Sequence, residues 1–132
     1  MPRVTVLLAR GIGIFMVVLI AAMMVRGMSV VSATVSDGPV MLAYAIISLG
    51  MGVAMIVGHN VWSGGLLPVT VTLLGWLIFL KGLVLILLPA ETLSRMIGQM
   101  HYGDHFYLYL APSLAIGLYL TWAGFTTPMR DR

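Results

Sequence analysis

Four apolar runs of about twenty residues, at 4–25, 39–58, 66–88 and 104–125, alternate with short polar links along this chain. A helix rises about 1.5 Å per residue, so roughly 20 apolar residues cross the roughly 30 Å hydrocarbon core of a bilayer. Each run therefore predicts one membrane-spanning helix. The third, at 66–88, reaches about 34 Å and spans with modest tilt. One residue inside it breaks the pattern. Lys81 lies about 10 Å below the end of the run near Pro89, where an ionised amine needs a partner or a path to water. Arg10, about 9 Å into the first run, is close enough to its end for the side chain to snorkel to the headgroups.

The links carry their own patterns. Residues 26–38 place Met28, Val31 and Val35 at near-helical spacing, which predicts a short segment lying on the surface. Pro39 suits the first turn of the second span, because a proline there forfeits no intrahelical hydrogen bond. Residues 59–65 form a turn too short for anything but antiparallel neighbours, with Trp62 at the interface and His59 and Asn60 placed to satisfy the last carbonyls of the second span. Between the third and fourth spans, Leu93, Met96, Ile97 and Met100 recur at i, i+3, i+4 and i+7, with Glu91, Ser94, Arg95 and Gln99 on the other faces, the signature of an interfacial helix. Pro112 predicts a kink in the fourth span, and residues 126–132 form a polar tail.

Small residues mark where helices approach one another in lipid. Gly11 and Gly13 flatten the first span; Ser48 with Gly52, and Ala54 with Gly58, are small-xxx-small pairs that predict an interior position for the second. The chain also reads as two copies of one unit. Tyr44, Ser48, Leu49 and Gly52 match Tyr109, Ser113, Leu114 and Gly117 at an offset of 65, and Gly11, Ile14 and Phe15 match Gly75, Ile78 and Phe79 at an offset of 64. Each half is then a helical hairpin with an interfacial segment, and the two are parallel repeats about an axis along the membrane normal. Gly52, Gly117, Gly75 and Gly82 are the expected packing positions. Tyr44 and Tyr109 lie one to two turns from their helix ends, near the depth of Lys81, with Ser48 and Ser113 a turn deeper. A ligand-binding set of Lys81, Tyr44, Tyr109, Ser48 and Ser113 is one reading of these residues; a lysine that merely snorkels is the other.

Composition narrows the class. With 61% hydrophobic and 8% charged residues and a mean hydropathy of +1.08, the chain lies far from the roughly 25% charge of soluble domains, and the fold expected is an all-α four-transmembrane-helix bundle forming a single domain over residues 1–132. The formal charge of +3 sits on ends and links, without the basic blocks that nucleic acid requires. The absence of cysteine removes thiolate chemistry. No activated nucleophile, paired carboxylates or cofactor motif is present, so neither an enzyme nor a cofactor is expected. His101, Asp104 and His105 cluster around Gly103, but cap and interface chemistry explains them without a metal, and His59 falls on the opposite side. The first span, though preceded by Arg3, is read as a retained helix and not a signal peptide, because three more follow. Arg3, Arg10, Arg130 and Arg132 share one side, against Arg26 and Arg95 accompanied by Asp37, Glu91 and Asp104, which predicts both termini in the cytoplasm.

The run from His59 to Gly65, HNVWSGG, with Gly75-Trp76, Lys81-Gly82 and Pro89, resembles an uncharacterised family of small bacterial four-helix integral membrane proteins. The resemblance covers about the middle quarter of the chain and implies a bacterial cytoplasmic (inner) membrane location, with no activity attached. The small multidrug exporters are also four-helix proteins of this length, but their carboxylate inside the first helix is missing here. Two function classes follow: an accessory or scaffold subunit that packs on a membrane-protein partner or on itself, favoured by small size, small-residue faces and 11 methionines; or a small transporter or ligand-binding protein using Lys81 with Tyr44 and Tyr109 to hold an anionic or polar group.

Overall fold

The structure is a computed structural model that describes residues 1–101 and 103–129; the orientation argument from Arg130 and Arg132 rests on positions outside these. The described residues form six helices: α1 (Arg3–Arg26), α2 (Met28–Ser36), α3 (Gly38–Gly58), α4 (Leu66–Leu87), α5 (Ala90–Gln99) and α6 (Phe106–Thr126). Four of them, α1, α3, α4 and α6, are long and apolar enough to cross a membrane, and the chain is a multi-pass helical membrane protein.

Local chemistry sets the ends. Gly27, at φ 73°, takes the left-handed conformation that separates α1 from α2. Asp37 caps α3 by accepting a hydrogen bond from Val40 N at 3.1 Å, and Pro39 follows within the first turn. His101 at φ 47° ends the α5 turn, and the Asp104 and His105 amides donate to its carbonyl, which delays α6 to Phe106, two residues past the expected start. The backbone of α6 continues helical through Pro112. The surface link at 26–38 is a helix in its own right: Ser29, Ser32 and Ser36 bond carbonyls three or four residues back and so satisfy their hydroxyls locally.

The long helices pack as two antiparallel pairs, α3 with α4 and α1 with α6, while α1–α4 and α4–α6 meet only locally. Glycine makes each pair close. A Cβ on Gly52 would collide with the Phe79 backbone; one on Gly82 would lie 2.5 Å from Leu49 N, and one on Gly75 3.0 Å from Met55 Cβ. Across the other pair, a Cβ on Gly13 would lie 2.6 Å from Thr121 N, and one on Gly117 3.0 Å from Met16 Cβ. With lipid as apolar as leucine, such close approach supplies the dispersion contacts that hold helices together.

The buried residues of α3 are Met41, Ala45, Ser48, Gly52 and Met55, at spacings of four and three, and buried His59 continues the stripe. This is a coiled-coil seam against one partner. Apart from half-buried Leu49 and Ile56 the rest of the helix is exposed, including Leu42, Ile46, Ile47 and Val57. The interior position expected for this span is thereby corrected: Ser48 and Gly52 enter a crossing, whereas Ala54 and Gly58 face outward. The misreading has a physical cause, since lipid-facing and partner-facing positions are equally apolar.

The two pairs join near the Arg3 end, where Ala9, Met55, Leu67, Val71, Leu74, Leu120 and Ala123 form one buried cluster. At the other end a second cluster of Ile20, Phe106 and Leu110 takes in Met28 and Val31 of α2. Leu substitution of Gly52 or Gly117 is expected to lower thermal stability in detergent by roughly 1–3 kcal/mol through overpacking, whereas unchanged melting curves would place both glycines against lipid.

Candidate functional site

Lys81 on α4 and Tyr44 on α3 meet across the glycine seam. The Lys81 amine donates to the Tyr44 hydroxyl at 2.8 Å and stands 4.7 Å from the centre of its ring, so one tyrosine offers both a lone pair and a negative π face. The approach is possible because Gly82 brings the α4 backbone against Leu49. Both side chains are exposed on the flank of the pair, with Tyr44 at 42%, so the amine does not point into the bundle interior.

The other members of the expected set lie elsewhere. Ser48 is buried in the α3–α4 seam, one turn below Tyr44. Tyr109 on α6 donates to the Met100 carbonyl at 3.0 Å, tying the end of α5 to the fourth span, and Ser113 is half-buried one turn along the same helix. The two tyrosines that match in sequence thus serve different partners. A groove of about 240 Å³ opens between α2 and α5, lined by Met28, Val31, Val35, Ser94 and Ile97 among others, and Lys81 is not part of it.

Polar side chains satisfy backbone groups at the Arg3 end. Arg10 is half-buried; its Nε donates to the Gly124 carbonyl at 2.7 Å, and its guanidinium lies 4.8 Å from the Phe125 ring centre. The reason is in the sequence of α6. The carbonyl of Gly124 would take the amide four residues on, and that residue is Pro128, which has none. A cation at a helix C-terminus also complements the dipole. Arg10 therefore engages protein where a headgroup contact was expected.

The 59–65 turn is fastened to α4 by one hydroxyl. Thr72 Oγ1, on a residue 1% exposed, accepts from Val61 N at 3.0 Å and donates to Val61 O at 2.9 Å. His59, 5% exposed, sets its Nε2 3.3 Å from the Pro68 carbonyl while its own amide closes α3 on Met55, and Trp62 donates to the Asn60 side chain at 2.7 Å. At the opposite end, His101 Nδ1 lies 3.1 Å from the Gln99 carbonyl and His105 Nδ1 3.4 Å from the His101 carbonyl. Among the described residues no group of three or more His, Asp or Glu side chains comes together.

Comparison with protein-family models, with curated proteins and with solved structures finds no match to this chain. The functional reading therefore rests on the geometry alone.

Replacing Thr72 with Val strips both backbone groups of Val61 of their partner in a nearly isosteric core. The expected loss is about 1–3 kcal/mol of stability, with faster amide exchange confined to the turn; exchange at Val61 equal to that of the parent protein would show that the hydroxyl is dispensable.

Proposed function

We propose that the protein is an accessory or scaffold subunit whose α3 docks a helix of a membrane-protein partner or of a second copy. The observation that supports this reading is the outer face of α3. Gly50, Ala54 and Gly58 recur every four residues there, all exposed, and a Cβ added at Gly50 or Gly58 would meet nothing within 4 Å. Small residues at this spacing admit another helix backbone in lipid, and the α3–α4 seam uses a different set of glycines. Surface area agrees: the chain exposes 8175 Å², against roughly 6,800 Å² for a compact monomer of its 14.3 kDa mass. The difference, about 1,400 Å², exceeds the roughly 800 Å² that one partner buries in a standard interface.

A ligand-binding reading is favoured by one observation, the Lys81–Tyr44 pair, whose amine is held in a defined position at the flank of the seam. In either case we propose a bacterial cytoplasmic membrane, from the resemblance of the 59–65 run, with both termini inside, from Arg3, Arg10, Arg130 and Arg132 of the sequence against Arg26 and Arg95.

We read the halves as an internal repeat, α1 with α4 and α3 with α6. Under that exchange the two close pairs map onto each other. The Gly52–Phe79 approach maps to Gly117 against Phe15, and Gly117 meets Met16 and Val17, one to two residues further along.

Two experiments test these proposals. Leu at Gly50 or Ala54 is expected to leave the melting temperature unchanged while abolishing co-purification of the partner or cysteine cross-linking between copies, the reverse of Leu at Gly52; association that survives both outer substitutions removes the scaffold reading. An alkaline phosphatase fused to the C-terminus is expected to be inactive in bacterial cells, and an active fusion reverses the orientation.

A further inference from the structure

We propose that Lys81 and Tyr44 bind the phosphodiester headgroup of an anionic phospholipid, in the leaflet that borders α2 and α5. This rests on the ligand-binding reading of the pair and is independent of the scaffold reading. The chemistry of the pair is one-sided. An ammonium carries three N–H donors, and a phenol that accepts one hydrogen bond still has its own O–H to donate. Among the described residues only one of these four donors is used, the bond from Lys81 to Tyr44. Two N–H groups and one O–H remain on an exposed flank, with no further hydrogen-bond acceptor engaged among the described residues. The described acids, Asp37, Glu91 and Asp104, all fall outside the four membrane-spanning helices, and among the described residues none forms an ion pair with Lys81. An oxyanion from outside the chain completes the set, in a medium where a lone ammonium is costly.

Position selects a lipid as its source. Lys81 lies six residues from the end of α4 at Leu87, about 9 Å along the axis, and its stem of roughly 6 Å covers most of the way to the headgroups. Tyr44 lies six residues from the start of α3. Helical side chains lean toward the N-terminus; for α3 that is this end of the bilayer, so the Tyr44 phenol leans toward the headgroups and draws the Lys81 amine there against the opposite lean of α4. Around Lys81 the exposed residues are bulky: Leu77, Leu80 and Val84 at 59%, 49% and 43%. Gly75 and Gly82 are turned into the seam. Such a surface accepts acyl chains and denies another helix the close approach that Gly50, Ala54 and Gly58 permit.

The test uses delipidated full-length protein in a maltoside detergent, titrated with dioleoyl phosphatidylglycerol or dioleoyl phosphatidylcholine and counted by native mass spectrometry. The parent protein is expected to prefer phosphatidylglycerol. Lys81→Met should lower that affinity about fivefold and leave phosphatidylcholine binding unchanged, while Lys81→Arg retains the preference. Tyr44→Phe, which removes only a hydroxyl, should lower it to an intermediate extent, and excess sn-glycerol 3-phosphate should not displace the lipid. Equal phosphatidylglycerol binding by the parent and Lys81→Met overturns the proposal, as does displacement by glycerol phosphate, which would reveal a site for an aqueous anion. Loss of a co-purifying protein from Lys81→Met with lipid binding intact assigns the amine to a partner carboxylate and equally overturns it. Should Lys81→Met fail to fold, Tyr44→Phe decides, and unchanged lipid affinity in that variant refutes the site.

Discussion

Backbone contact at glycine is the constraint on which the rest of this structure depends. In water two apolar helices are driven together by the solvent; in lipid that force is absent, and association has to come from atoms in contact. The chain meets this by placing glycines where α3 crosses α4 and where α1 crosses α6. The other features follow from how near those backbones come. Lys81 reaches Tyr44 because Gly82 sits beside it against Leu49, and Arg10 reaches the Gly124 carbonyl because Gly124 leaves room for its stem.

A second theme is the pairing of polar side chains with backbone groups that helix geometry leaves over. Pro128 withholds an amide from Gly124, and Arg10 supplies the donor. The turn after α3 leaves both polar groups of Val61 without a helical partner, and Thr72 serves both. Tyr109 takes the Met100 carbonyl at the end of α5. In a bilayer an unsatisfied backbone group costs several kcal/mol, so each of these side chains is as structural as a core leucine. The Lys81–Tyr44 pair differs in kind, because there the surplus consists of donors and lies at the surface.

What was legible in the sequence follows the same physics. The four spans could be placed to within two residues because length and hydropathy answer directly to bilayer thickness, and the α5 face from Leu93 to Met100 was legible from its period. Gly52, Gly75, Gly82 and Gly117 were legible as packing positions, but which glycine met which helix was not. Hydropathy carries no information about direction when core and solvent are both apolar, and the two small-residue pairs of α3 point to an interior position although only the stripe from Met41 to Met55 is covered. Lys81 with Tyr44 was legible from depth, since both lie at one level of the bilayer. Tyr109 lies at that level too but belongs to a different helix pair, a fact set by lateral arrangement. The pairing of Arg10 with Gly124 could have been found from the proline four residues beyond that glycine, a local cue at the opposite end of the chain.

The pairing of α1 with α6 also bears on how the protein is made. Helices α3 and α4 are joined by the short 59–65 turn and can close on each other as soon as residue 87 has entered the bilayer. Helix α1 precedes α3 and α4 in the chain and finds its principal partner only when α6 is complete. Through most of synthesis α1 therefore stands in lipid with the glycine face at Gly13 uncovered and the Arg10 guanidinium without its carbonyl. Chain order therefore lets α3 and α4 close before α1 and α6 can, and leaves α1 a cationic helix without its partner until α6 arrives.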